Sequence, residues 1–313
     1  QFKEQGCGGF FAHARPGLIT DYIGDRWFEI WDFAMRECRE QGLEWHIYDE
    51  FTAAGGNAGG HTIAEAPHTV QRQLDLVPVV DPAQSVDRRS ILGLFRLDPA
   101  TRSTEAVGGD ALDRASPEFP LLAAVLRVPP TGHRGNGLAS VDLYHPDTAP
   151  AFLRTTHQKY AARSGDGFGS TVRFCFNDEP HTNQSKSSYP LSRYILKEFL
   201  KDHGYALEEK IASLCFWEED SREVRYDFYR TLDRLYNLGF AKPIYDWCAE
   251  HDLEFTGHYM EHEWPYPHSQ PDSMAALRWM QAPGNDLLGF QFTSASPEAN
   301  GIYFLNLKEL SSV

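Results

Sequence analysis

Residues 25–50 read DRWFEIWDFAMRECREQGLEWHIYDE, which combines a helix, a tight turn and a strand that ends in acidic residues. Apolar side chains recur at helical spacing over Asp25–Gln41, and Gly42 follows as a C-terminal stop. The short apolar run that comes next predicts a strand, which leads into Asp49 and Glu50. A helix that runs directly into such a strand is typical of α/β folds with a parallel sheet.

Three other segments repeat all or part of this pattern. A helical stretch over 236–250 leads to a predicted strand at 253–259, a turn leads to a strand at 7–12, and a fourth strand is predicted at 170–176. Acidic or histidine residues follow each of the four strands. A (β/α)8 barrel presents polar residues at the carboxyl ends of many strands, whereas an open sheet concentrates them at one switch point. We therefore predict an α/β fold with a (β/α)8 TIM-type barrel.

The pattern changes in the middle of the chain. Between 67 and 146, strand-like runs are separated by turn-rich stretches, which indicates a small β-rich insertion. The first part of the barrel is then 1–66 and its continuation is 147–313. The first residues read as a helix end and the last ones as an unfinished helix, so we expect the barrel to be incomplete at both ends, truncated before its last strands.

The composition excludes several classes of protein. The 313 residues include 29 Lys and Arg against 44 Asp and Glu, a net charge of −15, without a basic block that would neutralise phosphates. We expect no nucleic-acid partner. Apolar runs fall short of the roughly 18 residues that span a bilayer, so we expect no membrane partner either. Five dispersed cysteines without a C-x-x-C pair indicate reduced thiols and a cytoplasmic location.

The motif FNDEPH at 176–181 is the strongest candidate for chemistry. Asp178 and Glu179 lie at the end of a predicted buried strand, and Pro180 stops further pairing. A carboxylic acid held in a partly desolvated position can keep its proton at neutral pH and donate it. We therefore predict Glu179 as a general acid and Asp178 as a substrate ligand beside it.

Residues at two other strand ends are candidates for substrate binding. Asp49 and Glu50 should lie next to Glu179 around the same rim, although capping of the following loop is an alternative. That loop is rich in glycine and lacks a phosphate-loop pattern, so we expect it to let a substrate approach the backbone. His13 and Arg15, after the first predicted strand, bind a substrate hydroxyl or carboxylate or make structural hydrogen bonds.

The sequence HYMEH at 258–262 matches the H-x-x-E-H spacing of zinc peptidases, in which both histidines lie on one helix. A strand is predicted up to this point and two prolines follow shortly, which disfavours that helix. In a barrel, Glu261 is a carboxylate facing Glu179 or a ligand of a substrate hydroxyl, and His258 binds a sugar hydroxyl or tunes Glu179. Trp264 lies beside the predicted mouth, where an aromatic ring packs on a sugar or simply on the rim.

Four segments together carry a family resemblance. Residues 8–18 look like GGFFMHSRTGL, 45–50 like the start of WLYDED-x-W-P-S-G, 176–181 like FTDEPH and 255–261 like FTGHxxE. In this combination the chain resembles glycoside hydrolase family 106, the α-L-rhamnosidases, and related large bacterial glycosidase-like proteins. It departs from them at 52–55, where Thr-Ala-Ala-Gly replaces Trp-Pro-Ser-Gly.

The resemblance implies a catalytic (β/α)8 barrel that acts on glycosides, with Glu179 as the general acid. It also implies a strand and a helix before the position of Gln1, and a strand with a further Glu after that of Val313. Glycosidic cleavage generally uses two carboxylates, so the second is either Glu261 or this later Glu. We predict a glycoside hydrolase of carbohydrate metabolism, with a zinc metallopeptidase or a non-catalytic carbohydrate-binding barrel as alternatives. We expect no cofactor, and no EF-hand-like spacing supports a structural calcium ion.

Overall fold

The computed structural model of the protein describes residues 1–52, 54–83, 86–98, 103–131, 137–182, 188–260, 270, 272–286 and 307–313. The strands are β1 (Gly9–Ala14), β2 (Glu44–Phe51), β3 (Gln73–Val79), β4 (Ile91–Leu97), β5 (Thr104–Ala106), β6 (Leu121–Arg127), β7 (Phe174–Asp178), β8 (Tyr189–Pro190), β9 (Glu254–His258) and β10 (Ala282–Pro283). The helices are α1 (Asp25–Gln41), α2 (His61–Glu65), α3 (Thr148–Thr155), α4 (His157–Ser164), α5 (Arg193–His203), α6 (Ile211–Cys215), α7 (Ser221–Tyr236), α8 (Lys242–Glu250) and α9 (Ser273–Leu277).

A parallel sheet forms the first compact unit, which comprises 1–70, 131–182 and 235–313. Its strand order is β1-β2-β7-β9-β10, and each neighbouring pair is parallel. The prediction of an α/β fold with strands near 7–12, 43–48, 170–176 and 253–259 is confirmed. The described residues give this sheet five strands, and a closed eight-stranded barrel is not shown.

The helix α1 begins and ends where its sequence predicts. It buries one apolar stripe, while Gly42 adopts a left-handed conformation (φ 64°) and donates its N–H to the carbonyl of Arg39. Trp31 at the centre of the stripe is almost fully buried, and its indole N–H donates to Ser164 Oγ at 2.9 Å. Burial of this stripe fixes α1 against the sheet and sets the position of the strand that follows it.

Successive side chains of β2 point to opposite faces of the sheet. Trp45 packs on Trp31 of α1, with ring centroids 5.5 Å apart, so it faces the helices. Tyr48 stacks on His13 of β1 and therefore faces the other way. The strand also continues to Phe51, beyond its predicted end, so the acidic residues that were expected after it lie within it.

The second compact unit comprises 71–130 and 183–234 and contains an antiparallel sheet of order β5-β4-β6-β3-β8. Four of these strands lie inside the predicted insertion at 67–146. The fifth, β8, pairs with β3 from much later in the chain, and Ile211 of α6 approaches Gly93 of β4. The segment 183–234, assigned to the barrel from sequence, therefore belongs with the antiparallel sheet. Among the described helices, none has the length and apolar character needed to cross a bilayer.

Candidate functional site

The carboxyl ends of β1, β2, β7 and β9 bring five polar side chains together. We call this group the rim cluster: it consists of His13, Tyr48, Asp178, Glu179 and His258. Four of its members were predicted from sequence as site residues, and Tyr48 was not. The cluster arises because the carboxyl ends of parallel strands meet at one edge of a sheet.

Asp178 is held by two other members of the rim cluster. The Tyr48 hydroxyl donates to Asp178 Oδ2, and Nε2 of His258 lies 3.1 Å from Oδ1. Burial works against the ionised carboxylate, but the hydrogen bonds from His258 and Tyr48 prevail and hold the pKa of Asp178 below its usual value. Asp178 therefore carries a negative charge at neutral pH.

Glu179 follows directly and turns the chain at the end of β7. Its φ of 42° lies in the left-handed region, which is costly for a residue with a side chain. Its backbone N–H donates to the carbonyl of His258 at 3.1 Å, which ties this turn to β9. The side chain is partly exposed, unlike that of Asp178. The turn thus presents a carboxyl group to the space beside a buried carboxylate.

His13 and Tyr48 form a stacked pair next to Asp178. Their ring centroids are 3.4 Å apart, and Nε2 of His13 lies 3.1 Å from the carbonyl oxygen of Thr52. Burial lowers the pKa of His13, while the Thr52 carbonyl acts in the opposite direction. Burial and the charge of Asp178 raise the pKa of Tyr48, so its phenol remains a donor. Arg15 is exposed just beyond β1, and its positive charge acts on both rings.

Glu50, also predicted to bind substrate, is completely buried and fully engaged with the loop that follows β2. Its carboxylate accepts the backbone N–H groups of Phe51, Asn57, Ala58 and Gly59 at 2.7–2.8 Å. Burial raises the pKa of Glu50, and the four N–H donors limit the rise because they favour the charged form. This arrangement is the loop capping that the sequence left open as the alternative role.

The glycine-rich loop itself serves packing. Its residues from Ala54 to Gly60 are mostly buried, and a Cβ on Gly55 would overlap the side-chain amide of Asn177. The N–H of Gly55 donates to the carbonyl of Asp178 at 2.7 Å. The loop was expected to let a substrate approach its backbone. What approaches it here is the end of β7, so we correct that expectation.

Asp49 lies on the helix-facing side of β2, away from the rim cluster. Nδ2 of Asn177 donates to its two carboxylate oxygens at 2.9 and 3.0 Å, and Nε2 of His157 lies 3.5 Å from Oδ2. Burial raises the pKa of Asp49, and burial lowers that of His157 to about 3. Strand alternation predicts this position of Asp49: Tyr48 faces the rim cluster, so the next residue must face the helices.

Two predicted site residues, Glu261 and Trp264, lie outside the described residues, as does His262 of the H-x-x-E-H motif. His258, the first residue of that motif, ends a strand and not a helix. Gly257 before it has a φ of 140°, and a Cβ there would overlap the carbonyl of Asn177. His258 is therefore held by close packing of β9 on β7, with its ring directed to Asp178.

Three groups of described residues have donor atoms close enough to bind a metal ion, and one of them, His68, His145 and Asp147, lies at the surface. In the rim cluster, ligand atoms of Asp178, Glu179 and His258 all lie within 4.8 Å of one another. A calcium ion takes six to eight oxygen ligands, so two carboxylates with an imidazole would need further oxygens from elsewhere. The third group is on the helix-facing side of the sheet and contains His157, Cys175 and Cys248.

Comparison with known proteins relates the fold to that of a glycosidase. No protein-family model matches the chain, and no curated protein sequence matches it. The structure of a rhamnosidase from Novosphingobium sp. PP1Y is similar over 89% of this chain, with a TM-score of 0.55 and 12% sequence identity. The similarity covers 45% of that rhamnosidase, so the chain spans less than half of its length. At this identity, the likeness shows a glycosidase-like α/β fold.

Proposed function

We propose that the protein is a glycoside hydrolase and that its parallel sheet is part of a (β/α)8 barrel. The five strands follow one another around the sheet in the same order as in the chain, which is the connectivity of a barrel. Polar side chains at four successive strand ends and the rhamnosidase-like fold support the same conclusion. The substrate class is a carbohydrate, and an α-L-rhamnoside is the first to test because the similar structure is that of a rhamnosidase.

The observation that carries this proposal is the asymmetry between two adjacent carboxyl groups. Asp178 receives hydrogen bonds from Tyr48 and His258, which stabilise its negative charge. Glu179 lies beside it and is more exposed. Because the negative charge is stabilised on Asp178, we assign Glu179 as the member of the pair that donates a proton. Glu179 is then the general acid that protonates the glycosidic oxygen as the bond breaks.

The remaining roles follow from position. The second carboxylate, acting as base or nucleophile, is either Glu261 or a Glu on a strand after Val313. His13 and Arg15 lie on the β1 side of the rim cluster, where hydroxyl groups of a bound sugar are within reach of imidazole and guanidinium donors. Asp49 and Glu50 have no part in substrate binding in this proposal, since both are fully buried and used by the protein itself.

The proposal is tested by measuring how the Glu179→Gln variant turns over aryl α-L-rhamnosides and other aryl glycosides. We expect this variant to lose turnover and to retain sugar binding in calorimetry. Glu29→Gln, on the exposed surface of α1, is the matched control and should leave turnover unchanged. Unchanged turnover of substrates with weakly acidic leaving groups in Glu179→Gln refutes its role as the acid. Glycan binding without any turnover by the unsubstituted protein, measured on 1–313 and on a longer chain containing it, identifies a non-catalytic carbohydrate-binding barrel.

A further inference from the structure

A second cluster of reactive side chains lies on the helix-facing side of the parallel sheet. It contains Asp49 of β2, His157 of α4, Cys175 of β7 and Cys248 of α8, each fully buried. We call it the outer cluster. The roles proposed for the rim cluster do not use it, and its members come from four separate elements of the first compact unit.

We propose that Asp49, His157, Cys175 and Cys248 bind one zinc ion, which fastens α4 and α8 to the outer face of the sheet. The ligand types are those of structural zinc sites, in which thiolates and an imidazole are joined by a fourth donor. All four side chains are closed off from solvent, so the site has the character of a structural zinc and leaves no open position for a substrate.

The distances within the outer cluster fit tetrahedral coordination. Sγ of Cys175 lies 3.3 Å from Nε2 of His157 and 3.9 Å from Oδ2 of Asp49. The distance between Nε2 of His157 and Oδ2 of Asp49 is 3.5 Å. The sulfur of Cys248 lies within 4.8 Å of the other sulfur and of the imidazole nitrogen. Zinc–ligand bonds of about 2.0–2.3 Å at tetrahedral angles separate neighbouring ligand atoms by about 3.3–3.8 Å. Three of the donors, from His157, Cys175 and Cys248, are therefore already gathered together, and the Asp49 carboxylate borders two of them.

The imidazole presents the correct nitrogen to this point. Thr156 Oγ1 lies 2.6 Å from the carbonyl oxygen of Phe152, which can only accept, so the hydroxyl donates its hydrogen there. At 2.7 Å from Nδ1 of His157, the same hydroxyl oxygen then accepts the Nδ1–H. This leaves the lone pair on Nε2, directed at the carboxylate of Asp49 and the sulfur of Cys175. An orienting hydrogen bond on the far nitrogen is typical of metal-bound histidine.

The charge of Asp49 supplies an independent argument. Its partners are the amide of Asn177, the thiol of Cys175 and the imidazole of His157, without a lysine or arginine from the described part of the chain. A fully buried carboxyl group must hold a proton, pair with a cation or coordinate a metal. A zinc ion provides such a positive charge, and its binding releases the two thiol protons and any proton held by Asp49 to solvent.

The first test is elemental analysis of the full chain purified without chelator. We expect about one zinc per chain, and loss of this zinc in Cys248→Ser. Cys38→Ser is the matched control, because Cys38 is a buried cysteine of α1 outside the cluster and its variant should keep the metal. Loss of zinc in His258→Ala, with zinc retained in Cys248→Ser, would instead assign the metal to the H-x-x-E-H motif and overturn the proposal.

The second test uses the unsubstituted protein and does not depend on the folding of a variant. Exchange with cobalt(II) should give thiolate-to-cobalt charge-transfer absorption and the intense visible bands of a tetrahedral site. Treatment with a chelator should lower the unfolding temperature, and added zinc should restore it. Protein that contains no zinc and gives no cobalt spectrum contradicts the proposal, as does a Cys175–Cys248 disulfide found by mass spectrometry.

Discussion

Two strands of the parallel sheet carry the same dipeptide, Asp-Glu, and the structure uses the two copies differently. In β2 both acids are completely buried, with Asp49 facing the helices and Glu50 binding the backbone of the next loop. In β7, Asp178 faces Tyr48 and His258, and Glu179 turns outward at a strained φ. The same two residues thus make a structural anchor in one strand and a candidate acid in the other.

Register explains the difference. Tyr48 pairs with Phe176 across the two strands, so Asp178 is level with Glu50 and not with Asp49. The first acid of β2 therefore points toward the helices, and the first acid of β7 points toward the rim cluster. A sequence motif of two acids identifies the end of a strand. The face that each acid occupies depends on how that strand pairs with its neighbours.

The largest expected effect on stability is at Glu50. Glu50→Gln turns an amide NH2 toward backbone N–H groups that the carboxylate now accepts, leaving buried donors unsatisfied. We expect the free energy of unfolding to fall by about 2–3 kcal/mol, measured by urea denaturation at neutral pH. Glu179→Gln and the surface control Glu29→Gln should change it much less. A Glu50→Gln variant as stable as the control would contradict the claim that the Asp-Glu pair of β2 anchors the structure while that of β7 does not.

The next effect is at the contact between the two strand ends. Gly55→Ala places a methyl group against the amide of Asn177, where the loop after β2 packs on β7. We expect a loss of about 1–3 kcal/mol in the free energy of unfolding, because a closely packed core resists added volume. Gly165→Ala is the control, since a Cβ there meets nothing within 4 Å and its φ is −61°. Equal stability of the two variants would show that the loop is not closely packed.

The smallest effect is a pH dependence at Asp178. Its pKa in the folded state is below the usual 3.8, so its ionised form stabilises the fold above about pH 4. This contribution is lost as the pH falls through the folded-state pKa. Asp178→Asn should therefore flatten the acid limb of unfolding free energy against pH, measured by denaturation at a series of pH values. An acid limb identical to that of the unsubstituted protein contradicts the charge assigned to Asp178.

Sequence patterns predicted much of this fold because they are local. The helical stripe of Asp25–Gln41, its glycine stop and the apolar strands are each encoded within a few neighbouring residues. The inclusion of β8 with the antiparallel sheet was missed, because this strand has two residues and pairs with a partner more than 100 positions away. The helix–strand pattern also repeats in the same way in open sheets and in barrels, so it does not predict how many strands complete the sheet.

The rim cluster was predicted in part for a related reason. His13, Asp178, Glu179 and His258 were found because each follows or ends an apolar run. Asp49 and Glu50 were assigned to the same rim without regard to which face each side chain occupies. Counting alternation from Trp45, which packs on Trp31, indicates that Tyr48, not Asp49, shares the face of His13. A register shift between β1 and β2 after Ala12 adds a displacement that no sequence pattern shows.

The central claim is that Glu179 donates a proton to the leaving group, and leaving-group dependence tests it most directly. We would measure kcat/KM of Glu179→Gln and of the unsubstituted protein on aryl α-L-rhamnosides whose phenols range from weakly to strongly acidic. We predict a loss of about 10²–10⁴-fold for the least acidic phenols and a much smaller loss for dinitrophenol, which needs no proton to depart. An equal loss across the series, or none, would contradict the account.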